Sequence, residues 1–133
     1  MQDIKQIVFV DPSVEDYRFL VHGIDSSIPV YLLPWNKDGV LFIEQTLTQY
    51  SELDSVHIIS HGCQGAIVLG RAVLDVISID QYAEALWNIA QSMNSDGDIL
   101  LHACELAART NGAQFVERFA ALTGKGVAAA TER

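Results

Sequence analysis

The sequence predicts an α/β domain of three layers, α/β/α, in which helices cover a mainly parallel sheet of about five strands. Short apolar runs alternate with segments of helical periodicity, and the runs are rich in β-branched residues. Continuous apolar strands separated by amphipathic helices are typical of parallel sheets covered on both faces. Strand order is not visible in the sequence, and the doubly wound order 2-1-3-4-5 is typical of this class.

Each predicted strand follows from local residue types. The five strands are expected at 6–11, 29–34, 55–60, 97–104 and 126–132. Prolines bracket the second strand, and the third is rich in β-branched residues. Two apolar runs within 66–74 are divided by Gly70 and Arg71, which predicts a small β-hairpin after the third strand.

Four helices are predicted between the strands from capping residues and apolar spacing. Asp38 is expected to cap a helix that runs to Tyr50. Ser78 opens a Ser-Ile-Asp-Gln capping-box pattern ahead of an apolar stripe. Asn111 is the expected N-cap of the last helix, which Gly124 ends.

Composition limits the function classes. The chain has 133 residues, which predicts a single domain over 1–133, and its formal net charge is −9. This acidity, with few and scattered basic residues, argues against nucleic acid as a partner. No apolar run reaches the roughly 18 to 20 residues of a membrane span, and the N-terminus has no signal-peptide pattern. Two cysteines do not make a disulfide scaffold.

Candidate catalytic residues lie where two strands end. Ligands bind beyond the carboxyl ends of open parallel sheets, so neighbouring third and fourth strands would bring His61 and Cys104 face to face. A cysteine nucleophile needs a base or cation beside it. Gly62 permits close approach to its N–H, and the N–H of Cys104 is the second expected donor of an oxyanion hole.

Four further residues are expected to border the cleft: Asp11, Trp35, Cys63 and Glu105. Asp11 either orients His61 or caps the following helix, and the cap is favoured. Trp35 either lines the cleft or, as we favour, covers the core. Cys63 is interpreted as a loop cysteine without a role, although a disulfide with Cys104 would block the nucleophile.

Two rival sites were weighed against the cysteine–histidine pair. Zinc could bind a set of four side chains, namely His61, Cys63, His102 and Cys104. The absence of Cys-x-x-Cys spacing argues against this site, so no metal and no organic cofactor is expected, and His102 is expected to pack under a helix or bond a backbone carbonyl. A phospho-receiver is rejected because its third strand would need to end in an acidic residue.

The blocks "HIISHG" and "DILLHAC" carry a resemblance to a known group of enzymes. An apolar strand ending in His-Gly, then a hairpin, a helix and an apolar strand ending in Cys resembles the caspase-like cysteine peptidases, the group that includes caspases, legumains, separases and gingipains. The resemblance implies a caspase-like fold with Cys104 as nucleophile and His61 as the general acid/base that protonates the leaving amine. The implied partner is a polypeptide substrate, with the protein's own chain as one candidate.

Nearly the whole chain also resembles an uncharacterised bacterial domain that heads very large surface or secreted proteins with cadherin-like or calcium-binding repeats. "VHIISHGCQGAIVLG" and "VAAATE" are among the matching stretches. That domain usually reads Gly-Cys followed by Asn, whereas this chain has Ala103 and Glu105. The resemblance implies a secreted or cell-surface location.

Caspase-like enzymes have a sixth strand that helps to build the pocket for the residue before the cleaved bond. We therefore expect either that the chain is truncated at its C-terminus from a larger protein or that the pocket is incomplete. The first case fits a cysteine endopeptidase or self-processing module. The second fits a catalytically inactive binding module, which is the alternative prediction.

Overall fold

The structure, a computed structural model, describes residues 4–15, 17–63, 65–103 and 110–129. The strands and helices follow one another along the chain in the order β1 Gln6–Val10, α1 Tyr17–His22, β2 Val30–Leu32, α2 Gly39–Leu47, β3 Leu53–Ile59, β4 Gly62–Cys63, β5 Ala66–Leu69, β6 Ala72–Leu74, α3 Ala83–Ala90, β7 Met93–His102, α4 Thr110–Thr123 and β8 Gly126–Ala129. A 3₁₀ turn, Ile79–Tyr82, leads directly into α3.

The main sheet has five strands in the order β2-β1-β3-β7-β8, and every neighbouring pair is parallel. This is the doubly wound order 2-1-3-4-5, so the predicted fold class is confirmed. The third and fourth strands of this sheet, β3 and β7, are neighbours. Their pairing ends with Ile59 opposite His102.

One face of the sheet carries most of the core. Alternate residues of the central strands point to this face, where three helices cover them. On α2 and α4 the apolar residues recur every third or fourth position, as a buried helical stripe requires. The buried side chains are Ile7, Phe9, Val56, Ile58, Ile99 and Leu101 of the strands, and Val40, Ile43, Leu47, Leu86, Ile89, Phe115 and Phe119 of the helices.

The second face of the sheet is covered unevenly. Among the described residues, α1 is the only helix on this face, where it packs over Val10, Val30 and Leu32. The reason is topological: the β1-to-β2 connection runs in the opposite direction to the later ones, so right-handed crossovers place α1 alone on this face. On β3 and β7 the second-face residues include His57 and His102, which are partly or fully exposed.

The predicted hairpin is confirmed, and the structure adds a third strand to it. β5 and β6 pair antiparallel on either side of Gly70, and β4 pairs with β5 to complete a small sheet. The inward side chains of this sheet belong to the core: Ile67, Leu69, Ala72 and Leu74. β4 follows directly from the end of β3, so the small sheet extends from the carboxyl edge of the main one.

The predicted helix caps have mixed outcomes. The Asp38 cap is confirmed, because its Oδ1 accepts from the N–H groups of Val40 and Leu41 at 2.9 and 3.2 Å. The Ser78 capping box is wrong: the hydroxyl of Ser78 donates to the carbonyl oxygen of Val73 instead. The Asn111 cap is also wrong, since Asn111 lies within α4.

Candidate functional site

His61 lies at the carboxyl edge of the main sheet, between β3 and β4, and Gly62 is the first residue of β4. The backbone carbonyl of His61 accepts from the N–H of Val68 at 3.1 Å, which joins this segment to β5. The imidazole of His61 is exposed. No side chain in the described ranges hydrogen-bonds it, so the ring is accessible to a ligand that approaches from solvent.

The backbone N–H of Gly62 points away from the small sheet. The Val68-to-His61 hydrogen bond makes these residues a hydrogen-bonded antiparallel pair. The next pair along, Gly62 opposite Ile67, is then of the non-hydrogen-bonded kind, in which N–H groups point outward. The Gly62 N–H is therefore not used by the pairing of β4 with β5.

Ser60 fixes the direction in which the chain leaves β3. Its side chain is 5% exposed, and its hydroxyl donates to the carbonyl oxygen of Val68 and lies 3.1 Å from that of His61. Its N–H donates to the carbonyl oxygen of His102 at 3.0 Å. The residue before His61 is therefore bound to both the small sheet and β7, which holds the His61 backbone in place.

Asp11 directly follows β1 at this edge of the sheet and is buried, with 1% of its surface exposed. Its Oδ1 accepts from the N–H of Gly70 at 2.6 Å, and its Oδ2 accepts from the N–H of Ser13 at 3.0 Å and from the Ser13 hydroxyl. Neither predicted role is seen, since Asp11 bonds these groups rather than His61 and α1 begins only at Tyr17. Asp11 instead attaches the β5–β6 turn to the main sheet.

Trp35, which follows β2, is 75% exposed. The favoured prediction, that its ring covers the core, is therefore wrong. Leu33, two residues earlier, fills the buried position at the end of β2 with 1% exposure. An exposed indole near the carboxyl edge remains compatible with the alternative prediction that Trp35 lines a cleft.

The other predicted site residues fall at or beyond the limits of the description. Cys104 and Glu105 lie outside the described residues, as does the side chain of Cys63, whose backbone pairs with Ala66. The description of β7 and its exit ends at Ala103, which is 4% exposed. In the sequence, His61 stands two residues after Ile59, and Cys104 stands two residues after His102, the residue that pairs with Ile59.

His57 and His102 form a titratable pair that the sequence did not predict. Their rings stack with centroids 5.5 Å apart, and His57 Nδ1 lies 3.2 Å from His102 Nε2. The predicted placement of His102 is wrong, because its side chain is exposed and bonds the His57 ring. The available signal was strand alternation, which turns both histidines away from their buried neighbours.

Burial lowers the pKa of both imidazoles. The pKa of His57 is lowered further by His102, because a positive charge on one ring disfavours a charge on the other. Both histidines are consequently neutral over a wider pH range than a free imidazole.

Acidification should therefore destabilise the protein through this pair. Because the folded-state pKa values lie below the unfolded ones, the unfolded chain binds more protons as the pH falls through about 6.5. We expect the free energy of unfolding, measured in urea, to fall between about pH 7.5 and about pH 5.5. The double variant His57→Gln/His102→Gln should show a shallower fall. His22→Gln, which alters an exposed histidine of α1, should show the same fall as the wild type. If the free energy of unfolding falls equally with pH in the wild type and both variants, the His57–His102 pair is not its cause.

The described part of the chain also bears on metal binding and membrane insertion. Within residues 4–15, 17–63, 65–103 and 110–129, no three His, Cys, Asp or Glu side chains come together as a metal-binding group. No helix in this part of the chain is long and apolar enough to cross a membrane.

Comparison with known proteins gives one family. No curated protein and no solved structure matches the chain. A family match extends over residues 7–133. It covers the small sheet, the four described helices and the described main sheet apart from Gln6, the first residue of β1. The chain therefore belongs to the family described as Domain of unknown function (DUF4347).

Proposed function

We propose that this domain is a caspase-like cysteine endopeptidase or self-processing module that hydrolyses a peptide bond with a Cys104–His61 pair. One observation carries the proposal: β3 and β7 are hydrogen-bonded neighbours whose last pair is Ile59 and His102. The chain segments leading to His61 and to Cys104 therefore leave the sheet at the same edge. The hairpin that follows His61-Gly62 also agrees with the caspase-like resemblance.

The described half of the site supports the roles proposed for it. An exposed His61 ring can reach a bound peptide, and its backbone is held by Ser60 and Val68. The outward N–H of Gly62 can donate to a developing oxyanion. A general acid need not touch the nucleophile at rest, provided that it reaches the leaving amine in the substrate complex.

The proposed reaction has two steps. The Cys104 thiolate attacks the carbonyl carbon, and the Gly62 and Cys104 N–H groups stabilise the oxyanion. The C–N bond then breaks as His61 gives its proton to the amine, which leaves a thioester. Water, deprotonated by His61, attacks the thioester and releases the carboxylate product and the Cys104 thiolate.

Labelling with electrophilic peptides tests this proposal. A panel of peptidyl acyloxymethyl ketones with varied residues before the reactive carbon should add one label per chain, measured by intact mass. Cys104→Ala should abolish the label, whereas Cys63→Ala should retain it. The parent should also hydrolyse a peptide amide that matches the best label, and His61→Ala should slow that hydrolysis by about 10²-fold or more, the usual range for losing a general acid–base group.

The opposite results have a defined meaning. A label that persists in Cys104→Ala would overturn the proposed nucleophile. No labelling by any member of the panel would overturn the peptidase proposal and favour the alternative, a binding module of a large surface protein. A folded Cys104→Ala variant, checked by circular dichroism, ensures that a lost label reflects the missing thiol.

A further inference from the structure

We propose that His57 and His102 bind a divalent transition-metal ion, such as Zn²⁺, on the second face of the main sheet. The two imidazoles come from neighbouring strands and direct ring nitrogens towards each other, with His57 Nδ1 lying 3.2 Å from His102 Nε2. The inference does not depend on the proposed peptidase activity, since neither histidine has a role in that reaction.

The spacing of the two nitrogens suits a shared ion. Zinc binds histidine nitrogen at about 2.0–2.1 Å in tetrahedral geometry, which places two bound nitrogens about 3.3 Å apart. The observed separation of 3.2 Å is close to this value. The two stacked rings, now 16° from parallel, must rotate to turn both lone pairs towards one ion.

Gln6 supplies the partner that a metal-binding histidine normally has. Its Oε1 lies 3.1 Å from His57 Nε2, and the Ser55 hydroxyl lies 3.4 Å from the same nitrogen. Because an amide oxygen only accepts, the Gln6 contact favours an N–H at Nε2 and a lone pair at Nδ1. With the lone pair on His57 Nδ1, the 3.2 Å contact requires the His102 proton to lie on Nε2. When the ion binds, the His102 proton moves from Nε2 to Nδ1, and no net proton is released.

The surroundings favour a transition metal over a hard cation. Imidazole nitrogen suits zinc, copper and nickel, whereas magnesium and calcium prefer oxygen ligands. The lowered pKa values keep both rings neutral near pH 7, which reduces competition from protons. His102 is exposed and His57 is partly exposed, so water can fill the remaining coordination positions.

Calorimetric titration of metal-free protein with zinc chloride tests this site. The background is Cys63→Ser/Cys104→Ser, so that thiols contribute no binding. We expect one zinc ion per chain, with affinity at least tenfold weaker in His57→Gln and in His102→Gln. Gln6→Leu should weaken binding about tenfold through loss of the orienting hydrogen bond. His22→Gln, the matched surface control, should bind as the parent does, and magnesium chloride should give no heat.

Three results would overturn the proposal: no zinc binding, unchanged affinity in both His57→Gln and His102→Gln, or an equal loss in His61→Gln. The last would assign the ion to the carboxyl edge instead. Thermal unfolding with and without zinc gives a second readout. Zinc should raise the melting temperature of the parent but not that of the double variant His57→Gln/His102→Gln, whose folded state is verified by circular dichroism.

Discussion

Gly70→Ala is expected to lower the free energy of unfolding by about 2–5 kcal/mol. Gly70 has φ of +61°, a left-handed conformation that costs an L-residue about 1–2 kcal/mol. A Cβ built there would lie 2.2 Å from the carbonyl oxygen of Lys37 and 2.8 Å from that of Pro34. Both contacts are to backbone, so the turn must move away, at an overpacking cost of about 1–3 kcal/mol.

Gly124→Ala is the matched control for that substitution. Gly124 has φ of +71°, and the nearest atom to an added Cβ is Trp87 Cζ3 at 3.9 Å, an ordinary contact. Gly124→Ala should lower the free energy of unfolding only by the cost of placing an L-residue in the left-handed conformation, about 1–2 kcal/mol. Chemical denaturation of both variants isolates the close approach of the β5–β6 turn to Lys37. Equal losses would show that this approach contributes nothing to stability.

Asp11→Ala is the second large effect, with an expected loss of about 2–4 kcal/mol in the free energy of unfolding. The substitution removes the acceptor of the Gly70 N–H, and an unpaired buried donor costs about 1–3 kcal/mol. It also removes the bonds from the backbone and hydroxyl of Ser13. Asp11→Asn should recover only part of the loss, because either amide orientation turns an NH₂ group towards a backbone N–H donor.

Asp25→Ala is a control that separates two contributions to the free energy of unfolding: the buried bond to Gly70, and the local bonds to the serine two residues along the chain. Asp25 makes the same local pattern with Ser27, accepting from its N–H and its hydroxyl at 2.8 Å each, but it is exposed. This variant should unfold at nearly the same denaturant concentration as the wild type. If Asp11→Ala is as mild as Asp25→Ala, the long-range bond to Gly70 is not what stabilises the turn.

Much of the fold was predictable because it rests on short-range patterns. The apolar runs that became β1, β3 and β7, the Gly70 turn and the Asp38 cap each depend on neighbouring residues. Ser78 misled the prediction because the hydroxyl of the expected cap bonds the backbone of β6 instead, and the chain starts as a 3₁₀ turn.

The site was less predictable because its contacts join distant residues. The bond from Gly70 to Asp11 spans 59 positions, and the contact between His57 and His102 spans 45. The first depends on how the small sheet packs against the main one, and the second depends on the register of β3 with β7. Neither is written in local sequence. His61 and Gly62 could be predicted because the His-Gly motif directly follows an apolar strand. The exposure of Trp35 could not, because it depends on how the chain turns after β2.

The short outer strand β2 of the main sheet also bears on aggregation. β2 spans three residues and lies between Pro29 and Pro34. Outer strands offer unpaired N–H and C=O groups on which another chain can form a continuous sheet, and short length and flanking proline limit that growth. The longest described strands, β3 and β7, lie inside the sheet with both backbone edges paired. The domain thus keeps its most amyloid-compatible segments away from neighbouring molecules.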